Sequence, residues 1–328
     1  MLRQLSIRQH SFRLGAPFRI SRGVKHRADV MLVELSQDGQ VGRGESVPYP
    51  RYGESAESVL AQMESIRPEL EAGMGRDELQ SRLTAGAARN ALDLALWDLE
   101  SRLSSVPVWA RLGRPLRAPL VTAQTIGLDS VDNMARAAAR MPDARLIKIK
   151  VDAHDPGSRI EAVRDAAPEA RLIVDPNESW NFEILQDLQP LLASTRVELL
   201  EQPLPADADD DLLDYDGAIP VCADESCHVV LDLPRLHNRY QAINIKLDKT
   251  GGLTEAWRLL HAARSEGFQI MVGCMVGSSL GISPALEIAR EASFIDLDGP
   301  FWLAHDHPGG VRLQQGMLLP PSAGFWGG

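Results

Sequence analysis

The sequence predicts an α/β chain, a barrel of eight parallel strands preceded by a small α+β domain. Two observations carry this. From about Leu120, eight short apolar runs recur roughly 22 to 27 residues apart, and helical stretches fill most of the gaps between them. Upstream of Leu120 the order differs, with a hairpin first and helices after it, the pattern of an α+β unit. Strand–helix alternation implies parallel strands joined by right-handed crossovers. Eight such units favour a closed barrel over an open doubly wound sheet, which needs a reversal of strand order that the sequence does not display.

In the first domain, Val30 to Leu35 is an apolar, β-branched run, residues 37–39 with Asp38 form a turn, and Gln40 to Glu45 resume an extended segment. Ser55 to Leu70 has a helical pattern. Ala85 to Leu103 has a stronger one, with Ala88, Leu92, Ala95, Leu96 and Leu99 on one stripe. The barrel runs are LVTAQTI at 120, LIKIKV at 146, RLIVD at 171, VELLE at 197, PVCAD at 220, AINIKLD at 242, QIMVGC at 269 and FIDLD at 294. Helices are expected over Asp132–Met141, Gly157–Ala167, Thr254–Glu266 and Pro284–Ala292, with the weakest link around Asp207–Asp211. No helix follows the eighth strand, so the barrel reads as (β/α)7β, a TIM-like barrel. The Gly- and Pro-rich tail is expected to run back over the first domain. The expected divisions are 1–117, 118–304 and 305–328.

The formal net charge of −11 argues against nucleic-acid or anionic-membrane binding. Three cysteines, Cys222, Cys227 and Cys274, make no disulfide framework. The N-terminus lacks the apolar core of a signal peptide, and no window approaches a membrane span. A cytoplasmic protein with a small-molecule substrate is the expectation, and a homo-oligomer is compatible with it.

Catalytic groups of such barrels sit at the C-terminal ends of strands. The third strand ends in Asp175, the fourth in Glu201 and the fifth in Asp224. One acid there more often caps the next helix. Three on successive strands converge, and converging like charges call for a cation; hard oxygen donors suit Mg²⁺. No histidine ends these strands, which weakens a zinc reading. Lys148 and Lys150 share one face of the second strand, and Lys246 stands at equivalent height on the sixth, with Asn244 and Asp248 expected on its face. The second and sixth strands face each other across a ring of eight. Lysines there can take a proton from one face of a carbon and return one to the other. A proton α to a carboxylate needs its enolate stabilised, which a divalent ion does electrostatically. Repulsion between Lys148 and Lys150, together with the ion, is expected to lower the pKa of the base. Asp296 and Asp298 end the eighth strand, opposite the fourth. A substrate whose carboxylate meets the metal extends its other end toward them, and an ammonium fits. A dipeptide therefore suits the site better than a simple carboxylate.

These residues resemble the dipeptide epimerases of the enolase superfamily, muconate-lactonizing subgroup. The likeness rests on IKIK (147–150), VDPN (174–177), EQP (201–203), ADES (223–226), NIKLDKTGGLTEA (244–256), GCMVGSSLGISPA (273–285) and DLDGP (296–300). In the first domain ISRG, GESVPYPRYGES and ARNALDLALWDL match as well. The resemblance covers essentially the whole chain and implies one Mg²⁺ per subunit on Asp175, Glu201 and Asp224. It implies Lys150 and Lys246 as the acid/base pair, with Lys249 a rival past the strand end. Lys148 and Thr125 would contact the substrate carboxylate region, Asp296 and Asp298 the dipeptide ammonium, and Cys274 the pocket wall. The first domain would cap the mouth, with Arg22, or else Lys25, meeting a glutamate side chain. Glu225 would stand beside the metal, and Tyr49 and Tyr52 would help to close the lid. The implied reaction is epimerisation of L-Ala-D/L-Glu, with a role in cell-wall peptide recycling. N-acylamino-acid racemase, o-succinylbenzoate synthase and muconate cycloisomerase are the alternatives that need no ammonium site. A metal-dependent hydrolase lacks its histidines here, and a catalytically silent peptide-binding barrel is separated by α-hydrogen exchange.

Overall fold

The computed structural model describes residues 3–328. Three antiparallel strands open the chain: β1 (Gln4–Ile20), β2 (Gly23–Gln37) and β3 (Gln40–Ser46). Asp38 and Gly39, at φ 51° and 78°, close the β2–β3 hairpin with the left-handed pair that a two-residue turn requires. The apolar run in β2 is continuous because both faces are covered. Val30 and Leu32 pack toward the barrel, while Met31, Val33 and Leu35 pack under the helices of the first domain. The main helix, Ala87–Ser104, lies so close on β3 that a side chain at Gly42 or Gly44 would collide with the carbonyls of Ala95 or Ala91. The expected helix from Ser55 divides into Ala56–Ser65 and Arg67–Glu71. Ser55 caps its start, accepting the Ser58 N–H at 3.1 Å, and Pro68 interrupts the ladder. Strand β1 had no counterpart in the sequence reading, because its mostly exposed polar residues conceal the alternation.

The barrel strands are β5 (Gln124–Ile126), β6 (Leu146–Lys150), β7 (Arg171–Asp175), β8 (Val197–Glu201), β9 (Val221–Ala223), β10 (Ala242–Ile245), β11 (Gln269–Gly273) and β12 (Phe294–Asp296). They form one parallel sheet in chain order, and the Ala123 N–H donates to Ile295 O at 2.7 Å where the last strand meets the first. One residue from or beside each strand (Ala123, Leu146, Ile173, Leu199, Cys222, Ala242, Met271 and Phe294) fills the lower interior. The fully buried acids that end these strands, Asp175 and Glu201, lie at the opposite end.

Three local expectations needed correction. The first run splits: β4 (Leu120–Val121) leaves the barrel to pair with β14 (Met317–Leu319), itself paired with β13 (Arg312–Gln314). The intervening Thr122 accepts the Leu297 N–H at 3.0 Å through its hydroxyl. The helix expected over 284–292 is shorter, a tight turn at Ser283–Ala285 leading into Leu286–Ala289, and a separate helical turn at Ser279–Ile282 precedes Pro284. The acidic link after β8 carries only a short 3-10 turn at Asp210–Asp214.

The tail reaches the first domain. The Gly327 N–H donates to Asp98 at 2.8 Å and Trp326 Nε1 to Arg43 O at 2.9 Å. Between the domains, Arg89 donates to Thr250 O at 2.7 Å, and Asp93 accepts from the Thr254 N–H at 3.0 Å. No helix among the described residues is long and apolar enough to cross a membrane.

Candidate active site

A cavity of about 500 Å³ opens at the C-terminal ends of the barrel strands, roofed by the first domain. Thr125, Lys148, Lys150, Asp224, Lys246, Cys274, Asp296 and Asp298 line it from the barrel, and Arg22, Lys25, Tyr49 and Tyr52 from the cap. Asp175 and Glu201 are fully buried beneath. Register explains the convergence: Lys150 lies beside Asp175, Thr125 beside Lys148, and Glu201 beside Cys222, two residues before Asp224. Lys246 directly follows β10, so Lys150 and Lys246 enter from walls separated by β7, β8 and β9.

The charges interlock. Lys148 Nζ lies 2.9 Å from Asp175, 2.7 Å from Glu201 and 2.8 Å from Asp296. Lys150 Nζ lies 2.5 Å from Asp175, and Lys246 Nζ 2.6 Å from Asp224. Burial disfavours the Lys148 ammonium, but Asp175, Asp296, Glu201 and Asp224 outweigh it and hold the pKa well above the ordinary lysine range. Burial likewise opposes the charge on Lys246, and Asp224 and Glu201 again prevail. Lys148 and Lys246 are both held charged, because each faces more than one carboxylate. Asp175 and Asp224, although buried, are held below the usual carboxylate range by their lysines. Burial and the Asp175 charge instead push Glu201 up.

Among the described residues, no three acidic, histidine or cysteine side chains are close enough together to hold a metal, since ammonium groups stand between the carboxylates. The donors still suit a hard cation. All three are buried carboxylates, and two of them already meet on one positive charge. Glu201 Oε1 accepts from Asn244, while Oε2 lies 2.7 Å from Lys148 Nζ as an ion pair without a hydrogen bond, an oxygen suited to a hard cation.

At the far wall, Asp298 accepts the Thr125 N–H at 2.7 Å, and burial with the Asp296 charge pushes its carboxyl up to about 7. Asp296 Oδ1 is buried without a partner. Thr125 thus stands at the Asp296/Asp298 end. Burial, then Asp296 and Asp298, push the Cys274 thiol well up, which leaves it a neutral wall group. Arg22 reaches the mouth, but its guanidinium is already engaged, Nη1 with Glu178 at 3.0 Å and Nη2 with Glu225 at 2.7 Å. Lys25 Nζ sits over the Tyr49 ring at 4.7 Å. Lys249 does not line the cavity. It holds Asp224 from behind at 2.7 Å. Asn244 faces inward and donates to Glu201 at 2.9 Å. Asp248 does not share the face of Lys246, because β10 has ended and the chain has turned helical; it accepts the Val47 N–H and Asn90 Nδ2 of the cap.

Gln202 escaped sequence reading. Its Oε1 accepts the Asp224 N–H at 2.9 Å and the Ser226 N–H at 3.1 Å, while its Nε2 donates to Ser226 Oγ and the Tyr240 hydroxyl. This clasp sets the turn that carries Asp224. Its position next to Glu201 in EQP was the available signal.

Two family profiles match. The mandelate racemase/muconate lactonizing enzyme N-terminal domain matches residues 3–113, and the enolase C-terminal domain-like family matches residues 131–324. The chain is 47% identical to the L-Ala-D/L-Glu epimerase of Escherichia coli K12, over 97% of this chain and 99% of that protein. It is 42% identical to an N-acetyl-D-glutamate racemase of a Pseudoalteromonas species, over 91% and 95%. A solved structure from Agrobacterium tumefaciens, an enolase family member with homology to dipeptide epimerases, contains sodium and L-Ala-L-Glu. It superposes with a TM-score of 0.96 at 46% identity, covering 99% of this chain and 100% of that one. The chain belongs to the dipeptide epimerases of the enolase superfamily.

Proposed function

We propose that this chain inverts the α-carbon of the C-terminal residue of L-Ala-D/L-Glu by two-base 1,1-proton transfer, with one Mg²⁺ held by Asp175, Glu201 and Asp224. The observation that carries the reading is the entry of Lys150 and Lys246 into one cavity from opposed walls, with these carboxylates between them. Mg²⁺, when bound, supplies positive charge against the enolate that forms as the α-proton leaves. One lysine takes that proton on one face of the carbon, and the other delivers a proton to the opposite face. Lys148, against Asp175 and Glu201, contacts the substrate carboxylate region, whereas Thr125, bonded to Asp298, is assigned to the ammonium end instead. Asp296 and Asp298 receive the ammonium, whose charge answers two acids crowded in one buried wall. Cys274 fills the wall beside them. Residues 1–117 act as the cap, 118–304 as the catalytic barrel and 305–328 as the returning tail. A cytoplasmic role in cell-wall peptide recycling accompanies this reading.

The similarity to an N-acetyl-D-glutamate racemase makes N-acylamino-acid racemisation the second reading. The acid pair favours the dipeptide, because an acetamide brings no cation to it. The deciding experiment follows α-deuterium uptake by mass spectrometry for L-Ala-L-Glu and N-acetyl-L-glutamate. The dipeptide is expected to exchange about a hundredfold faster, the scale on which an unanswered buried charge acts, and Asp298→Asn is expected to remove most of that advantage. Equal rates on the two substrates would transfer the assignment to the racemase reading.

For the glutamate side chain we assign Arg22 as the reader, since a guanidinium can form a two-pronged contact with a carboxylate. Arg22→Met is expected to cost about 1.5–3 kcal/mol on L-Ala-L-Glu and little on a dipeptide with an apolar second residue. The ratio of kcat/KM values should move toward the apolar substrate by about tenfold or more. Equal losses on both would reduce Arg22 to a shaper of the lid.

A further inference from the structure

Two cap segments close the mouth of the cavity: the β1–β2 turn that carries Arg22 and the loop that carries Arg51. Both converge on one barrel residue to which the reaction above gives no task, Glu178. Arg51 grips its carboxylate with two prongs, Nε to Oε2 at 2.8 Å and Nη2 to Oε1 at 2.7 Å. Arg22 Nη1 adds a third contact to Oε2 at 3.0 Å, and the Ala206 N–H, from the loop after β8, a fourth to Oε1 at 2.9 Å. The Glu178 side chain is only 7% exposed, while Arg51 and Arg22 keep 37% and 27% of theirs in solvent, so the carboxylate is sheltered and the pairs owe their strength to its four converging donors.

The backbone here is unusual as well. Asn177 and Glu178 both adopt left-handed conformations, with φ of 48° and 66°. Asparagine tolerates this region, whereas glutamate does so only where its surroundings hold it there. The turn aims two acceptors at the cap. Asn177 O takes Ser21 Oγ at 3.2 Å and Arg22 Nη1 at 3.1 Å, and the Glu178 carboxylate takes both arginines. Arg22 is thereby divided. Its Nη1 is fixed on the Asn177–Glu178 turn, while its Nη2 meets Glu225 at 2.7 Å. A substrate carboxylate can exchange with Glu225 at Nη2 without releasing the arginine from the barrel.

We propose that Glu178 is a positioning residue that latches both mouth loops of the cap onto the barrel and holds Arg22 in place for the distal end of the substrate. The second half of this statement rests on the dipeptide reading, and the first half does not.

Limited trypsin digestion separates the two. The bonds after Arg22 and Arg51 lie in the latched loops, and cleavage there reports how often the loops open. In Glu178→Gln, which keeps the volume and loses the charge, cleavage at these two bonds is expected to rise about tenfold over wild type while the thermal midpoint holds. Glu178→Gly relieves the left-handed backbone yet still removes the carboxylate, so it should open the loops equally. With L-Ala-L-Glu, both variants should raise KM about tenfold and leave kcat within about threefold. Unchanged cleavage in both variants would overturn the latch. So would cleavage that rises throughout the chain with a lowered midpoint, and a lost kcat at unchanged KM would overturn the hold on Arg22. If the wild type fails to turn over L-Ala-L-Glu, the dipeptide reading falls, and the digestion still decides the latch.

Discussion

Lys246→Ala is expected to reduce epimerisation by about a thousandfold or more, the scale on which a positioned acid or base acts, and Lys150→Ala to do the same. The two losses should differ in kind. In the proposed two-base reaction each lysine serves one face of the α-carbon, so each variant should still exchange the α-hydrogen of one epimer in deuterated water without inverting it. The retained epimer should be opposite in the two variants. Lys246 and Lys150 each lie against a different carboxylate, Asp224 and Asp175, and both line the cavity, so neither can stand in for the other from across the ring. Normal inversion by either variant would sink the two-base assignment. A third variant, Lys249→Ala, helps to locate the base. Its ammonium braces Asp224 from outside the cavity, so it should weaken cation binding and leave exchange by both epimers in the same ratio.

Removal of the divalent cation is expected to abolish turnover, with a loss of about a thousandfold or more, because the enolate charge would have no preorganised partner worth several kcal/mol. Mg²⁺ should restore the activity. Binding can also be read without turnover, because a cation that binds the folded chain raises its thermal midpoint with concentration. Glu201→Gln should weaken that rise. Glu201 suits the test because it is fully buried, and burial and Asp175 push its carboxyl up, the strain that a cation relieves. Full turnover in a demonstrably metal-free sample, or an unchanged midpoint on addition of Mg²⁺, would remove the metal from the mechanism.

The legible part of this protein lies along its strands. Lys148 and Lys150 could be placed on one inward face because side chains alternate with period two. Asp175, Glu201 and Asp224 could be placed at one end because parallel strands all finish at the same face of a barrel. Asp248 was misplaced for the same reason in reverse. Alternation was extended past Ile245, where the backbone had already turned into the Leu247–Thr250 helix. Strand β1 is not legible in the sequence because a mostly exposed edge of polar residues carries little hydrophobic signal.

The sequence by itself determined the order of the barrel strands, the closed barrel and which strand ends carry charge. These follow from local periodicity and from the small set of topologies that parallel strands permit. Only the tertiary structure decided what those charges meet. The clasp of Gln202 on Asp224, the four-carboxylate surroundings of Lys148 and the grip of Arg51 on Glu178 join residues far apart in the chain, 127 positions in the last case. Protonation is decided at the same level, since burial and neighbouring charge set it and neither is written in the order of residues. The left-handed turn at Asn177–Glu178 belongs here too, because a glutamate holds that conformation only where its contacts require it.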